Sequence, residues 1–282
     1  ELAQMEQLAA ELVEAGAVQL SPDTRAGNWD ACSGYHYNDT TLKGFSHTHL
    51  SGTGCIDLGD ILFRPTTLKP DLTTESIYQP AAFSHKDEDA SAGYYSVVLK
   101  EEGIKAELTV TAHAGMHRYT FPSGKEASII IDLTHLLDNE YIYEAELEQT
   151  AANEITGMRR TRGWTDNQYV YFVAQFSKPF QAIDFIQNKK MVSAGVKLNG
   201  TDLQACLSFD NSNGEPVIAK VGLSIVSEKN ARENLETEVI GFDFDAVRSA
   251  ARSAWEQALS AITVKGGNTD DLKNFYTAMY HS

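Results

Sequence analysis

Between Asn28 and Asp60 the chain reads NWDACSGYHYNDTTLKGFSHTHLSGTGCIDLGD. Rings, imidazoles, carboxylates and glycines crowd together here with neither helical nor strand periodicity, a composition suited to a ligand-facing surface with tightly held backbone. Trp29, Tyr35 and Tyr37 offer ring faces to the axial C–H face of a sugar, and Asp30 and Asp39 offer acceptors for its hydroxyls. Core filling is the competing account for each ring. His47 and His49, in the string SHTH, would point both imidazoles to one face of an extended segment, as a metal site requires. A catalytic zinc also needs a third protein ligand, and none stands at a recognisable spacing. Hydrogen bonding of loop backbone, or contact of one ring with ligand, are the other readings of the pair.

Two carboxylates are the tools of glycoside hydrolysis. Asp57 with Asp60, or Asp30 with Asp39, could supply them, and turn or cap duty is the alternative. Gly52, Gly54 and Gly59 lack the lysine and the following helix of a phosphate-binding loop, so turn geometry is the better reading. No GxSxG string and no Cys–His nucleophile pair is present. No residue is therefore assigned as catalytic.

The elements that position these groups change character along the chain. Residues 1–16 carry Leu2, Met5, Leu8, Leu12 and Val13 at helix-face spacing. From Tyr94–Leu99 and Ile104–Thr111, flanking the turn Glu101–Gly103, short β-rich runs recur: Met116–Phe121, Ala127–Leu133, Tyr141–Glu148, Glu154–Arg162, Tyr169–Phe176, Ala182–Ile186, Ala194–Leu198, Leu203–Phe209 and Val217–Ser227. Their spacing, with Gly, Asn and Asp between them and no βαβ rhythm, predicts an antiparallel sandwich. A helical stripe then runs from Ala246 to Ile262, with Asp243 or Asp245 as its cap. After Lys265-Gly266-Gly267, Asn268 or Thr269 caps a further helix through Leu272, Phe275, Tyr276 and Met279. The expected organisation is a helical segment at 1–16, a sandwich over 17–242, a linker helix over 243–267 and the start of a further domain over 268–282.

At 282 residues the chain is long enough for a substantial core. Its net charge of -16 argues against nucleic acid or an anionic membrane surface as partner. The acidic runs Lys86–Asp89 and Glu144–Glu146 read as solvated faces. Cys32, Cys55 and Cys206 have no metal spacing; Cys32 and Cys55 could form one disulfide, or all three could be free thiols. Glu1–Gly16 is acidic and amphipathic, unlike a signal peptide, and no apolar run approaches membrane-spanning length.

Three segments, GAVQLSPDTR (16–25), NWDACSGYHYNDTTLKGFSHTHLSGTG (28–54) and DLGDILFRPT (57–66), together with YYSVVLKEEGIKAELTVTAHAGMHRYTFP (94–122) and the closing FYTAMYH (275–281), resemble glycoside hydrolase family 92. The resemblance runs from about Gly16 to the last residue. It implies a mainly β fold: a galactose-mutarotase-like antiparallel β-sandwich, a helical linker and the first helix of a truncated (α/α)6 barrel. It implies membership of the calcium-dependent, inverting exo-α-mannosidases, with α-1,2-linked mannose in N-glycans or mannans as substrate. The general acid, the base carboxylates and the calcium ligands would lie in the barrel, outside these residues. The sandwich would lend Trp29 and Asp30 to the sugar pocket, with His47 and His49 at the same site as supports of the loop. Partners would be a mannose-containing glycan and the chain's own downstream (α/α)6 domain, with no nucleic acid and no membrane, in a periplasmic or secreted setting. At its start the chain departs from the family, since residues 1–16 stand where members carry a Gly- and aromatic-rich strand and loop. A non-catalytic carbohydrate-binding sandwich is the alternative from another class, and a purely structural domain pairing with a barrel is a third.

Overall fold

The computed structural model describes residues 18–25, 33–50, 56–70, 79–138, 141–192 and 197–280. The expectations for residues 1–16, Trp29, Asp30, Cys32 and Cys55 lie outside them. Two antiparallel sheets enclose one core. The seven-stranded sheet runs Ser21–Asp23, Gly44–Ser46, Leu62–Thr66, Ala127–Asp132, Leu203–Phe209, Phe180–Gln187, Lys190–Val192. The nine-stranded sheet runs Leu198–Gly200, Tyr141–Ala151, Glu154–Arg162, Gln168–Phe176, Val217–Ser224, Ala114–Thr120, Ile104–Val110, Tyr94–Leu99, Glu88–Ser91. Period-two alternation decides which side chains go inside: Ile129 and Ile131 join Leu207, Phe63, Phe172 and Val221 in the shared core, while Ile130 packs with Ile186 and Cys206 on the opposite face. Cys206 is a buried free thiol, and burial raises its pKa to about 11.

The strand expected over Val217–Ser227 ends at Ser224, because Ser227 caps an unforeseen helix, Glu228–Glu238, by accepting the Asn230 N–H at 3.1 Å. This helix buries only Ala231 and Leu235, against the strands Val217–Ser224 and Gln168–Phe176. Arg232 fastens it through a two-pronged pair with Glu154, at 2.9 and 2.8 Å. The second helix, Phe244–Leu259, is capped by Asp243 and buries Phe244, Ala251 and Trp255. Asn268 accepts the N–H groups of Asp270 and Asp271, both at 2.9 Å, and starts the third helix, Thr269–Tyr280. That helix buries no residue, and Tyr280 stacks on Trp255 with ring centroids 4.3 Å apart. Among the described residues no helix is long and apolar enough to cross a membrane.

One acidic run departs from its expected solvation. Within Lys86–Asp89, the Glu88 side chain is buried and accepts from His85 Nδ1 at 2.6 Å, Tyr95 Oη at 2.5 Å and Tyr35 Oη at 3.2 Å. Three donors offset the desolvation that an acid would otherwise avoid.

Candidate functional site

Strand ends Ser21, Ser46, Leu62, Asp132, Arg162 and Gln168 lie at one end of the sandwich, and the loops there are tied together by buried polar groups beside the apolar side chains of Ile61, Leu133 and Leu137. Asp23 is the hub. Its fully buried carboxylate accepts from His49 Nε2 at 2.7 Å and from His135 Nε2 at 2.8 Å, joining three segments far apart in sequence. His49 Nδ1 lies 2.6 Å from the Gln19 carbonyl. Both ring nitrogens therefore face acceptors, so the ring donates from both and is an imidazolium. Burial alone would raise the Asp23 pKa. The charge of His49 and the hydrogen bonds from His135 and His49 overcome burial and hold it well below its ordinary value. Gly34 passes directly above this pair: a Cβ there would lie 2.1 Å from Asp23 Oδ1, and its φ of 82° is one that L side chains rarely adopt.

His47 heads a second, uncharged chain. Its Nδ1 donates to the Ile61 carbonyl at 2.6 Å, which leaves Nε2 as acceptor for His117 Nε2–H at 2.9 Å. His117 Nδ1 then accepts from Tyr119 Oη at 2.7 Å. One neutral tautomer of each ring satisfies every contact. Burial pushes the His47 pKa down to about 4, and burial with His47 as neighbour takes His117 well below its ordinary value.

Arg159 binds two more loops. Its Nε and Nη2 reach Asp60 Oδ1 at 2.8 and 2.7 Å, and its Nη1 donates to the carbonyls of Leu133 and His135. Asp60 also accepts from Thr48 Oγ1 at 2.7 Å. Asp57 accepts the backbone N–H groups of Leu58 and Trp164, both at 2.9 Å. Asp39 accepts from Thr24 Oγ1 at 2.8 Å and from Arg25 Nε at 2.7 Å. The hydrogen bond from Arg25 is the largest influence and lowers the Asp39 pKa.

The sequence candidates thus separate into distinct roles. His47 and His49 come to the same end but are buried and bonded within the protein. Asp39, Asp57 and Asp60 accept from fixed donors, which is turn and loop-clasp duty rather than proton transfer. Tyr35 fills core, and Tyr37 stacks on His85 with centroids 4.0 Å apart. Sequence reasoning missed Asp23, His117, His135 and Arg159. Only Arg159 carried a local signal, as an arginine on the inward face of a strand otherwise shared with Ile155 and Gly157.

Calcium, implied by the sequence resemblance, does not fit the described residues. Among them no group of three or more His, Cys, Asp or Glu could hold a metal ion. The carboxylates at this end are already taken by imidazoles, guanidinium and amide N–H groups.

The family model described as the glycosyl hydrolase family 92 N-terminal domain matches residues 12–224, and the family 92 catalytic-domain model matches 230–282. A protein of Arthroderma benhamiae described as an uncharacterized secreted glycosidase is 30% identical over 280 residues, covering 88% of this chain and 36% of that protein. A family 92 α-mannosidase from Bacteroides thetaiotaomicron, solved in complex with mannoimidazole, is 37% identical with a TM-score of 0.91, covering 99% of this chain and 38% of the other. A second family 92 glycosyl hydrolase structure is 26% identical with a TM-score of 0.84, covering 98% of this chain and 38% of the other. The chain spans well under half the length of these relatives. With three-quarters of its residues matched by the N-terminal model, the chain belongs to glycosyl hydrolase family 92.

Proposed function

We propose that this chain is the sandwich and linker portion of an exo-acting, calcium-dependent α-mannosidase that inverts configuration by a single displacement. The observation that carries the proposal is the ionic network around Asp23, which fixes the loops bearing the family motif at one end of the sandwich. The 37% identity to an α-mannosidase solved with mannoimidazole supports mannose as the sugar. In this reading Trp29 and Asp30 contact the terminal mannose, and His47 and His49 hold the neighbouring loop. A downstream (α/α)6 domain supplies the general acid that protonates the leaving oxygen, the base carboxylate that activates water, and the calcium ligands. The described residues contribute positioning, which governs rate when the reacting atoms must be held closely. The preferred linkage is α-1,2 in N-glycans or mannans, and the setting is periplasmic or secreted.

The test is mannose release from α-1,2-mannobiose in calcium buffer, by this chain alone and by the full-length protein. Release by the full-length protein only is expected. In that protein Trp29→Ala should lower kcat/KM by about 100-fold without moving Tm. Turnover equal to the parent would remove Trp29 from the site. Release by this chain alone, abolished by a chelator, would overturn the division of labour between the domains.

A further inference from the structure

Trp164 stands at the tip of the turn between the strands Glu154–Arg162 and Gln168–Phe176, and it is 66% exposed. The backbone beneath it is fixed. The buried Asp57 carboxylate, part of the motif loop, receives the Trp164 N–H at 2.9 Å. Gly163 lies so near Asp57 that a Cβ there would sit 2.0 Å from Oδ1. The indole itself has no ring or hydrogen-bond partner among the described residues. A large ring left in water on an immobilised turn is a preorganised binding element, because little backbone freedom remains to be lost on contact.

The surroundings distinguish its ligand. Arg162 and Asp166 form an ion pair at 3.3 Å across the same turn, and both are well exposed. Tyr141, 61% exposed, is the strand partner of Arg162 and therefore shares its face of the sheet. The centre of a protein–protein contact is depleted of charge. Aromatic rings beside a guanidinium and a carboxylate instead match a sugar, whose C–H face stacks while its hydroxyls both donate and accept.

We propose that Trp164 and Tyr141, with Arg162 and Asp166 beside them, form a subsite for the hexose units of a glycan beyond the one that is released. The subsite rests on the exo-mannosidase reading above, because the turn is bolted through Asp57 to the motif loop of that site. Trp164 acts here as a specificity-determining residue that grips longer substrates.

The test uses the full-length protein with an α-1,2-linked mannotetraose and mannobiose. Trp164→Ala should raise the Kd for the tetraose, measured calorimetrically, by about tenfold, and Trp164→Phe should stay within about threefold of the parent. The loss should fall in KM rather than kcat, and should be larger for the tetraose than for the biose. Equal Kd in parent and Trp164→Ala, with the parent still releasing mannose, would overturn the subsite alone. Equal losses on both substrates together with a lowered Tm would also overturn it, by showing that the ring packs against the rest of the protein. A parent that neither cleaves nor binds either sugar would overturn the mannosidase reading and the subsite with it.

Discussion

Acid should weaken this fold before its carboxylates protonate, because His47 and His117 are buried as neutral rings that face each other. His47 titrates at about 4 in the folded chain against an ordinary 6.5. Between those two values the unfolded chain binds more protons than the folded one. Stability is therefore complete above pH 6.5 and falls as pH drops towards 4. At pH 5 the contribution of His47 is a loss of about 2 kcal/mol, since each pKa unit is worth about 1.4 kcal/mol. His117 is shifted in the same direction and adds to the loss. Against a typical domain stability of about 5–15 kcal/mol this is a large fraction. Glu107 and Glu154, with pKa values of about 2 against an ordinary 4.5, act at lower pH and leave the window clear. The assay is urea unfolding at pH 7, 6 and 5, for the parent and for His117→Gln. Glutamine can accept from Tyr119 and donate to His47, preserving the chain while removing one titrating group. The variant should lose stability with a shallower pH slope. A parent equally stable at pH 7 and pH 5, or a variant with an unchanged slope, would refute the argument that these two rings are neutral and buried in the working fold.

Two further predictions follow from the packing. Arg159→Met should cost about 3–5 kcal/mol in urea unfolding, because it strands the buried Asp60 carboxylate, and adding Asp60→Asn should recover part of the loss. Leu235→Ala, at the buried anchor of the first helix, should cost about 2–5 kcal/mol and is read from the same assay.

The sandwich was legible because short β-rich runs recur between Gly, Asn and Asp turns: Glu154–Arg162 and Leu203–Phe209 begin and end where residue pattern alone puts them. The first helix was not, because two buried side chains in eleven residues leave too thin an apolar stripe to separate from a loop. In the candidate site the same contrast holds. The motif histidines announce themselves by spacing, but the Asp23–His135 contact spans 112 positions, and no local pattern encodes a pairing made only when two loops fold together. Glu88 was misread for a related reason, since its donors Tyr35 and Tyr95 reach it from other elements of the fold.

The polar cement at the loop-bearing end carries a thermodynamic consequence. Opening those loops would break hydrogen bonds and ion pairs and would uncover less hydrocarbon, chiefly Ile61, Leu133 and Leu137, than unfolding the two-sheet core, so the step should have a smaller heat-capacity change and a smaller dependence on urea. The two-sheet core, held by apolar area, has the opposite signature. At low urea the loop amides should therefore exchange by local opening, and at higher urea by unfolding of the whole sandwich. The chain thus separates two openings by their dependence on urea, a shallow one at the loops and a steep one at the scaffold.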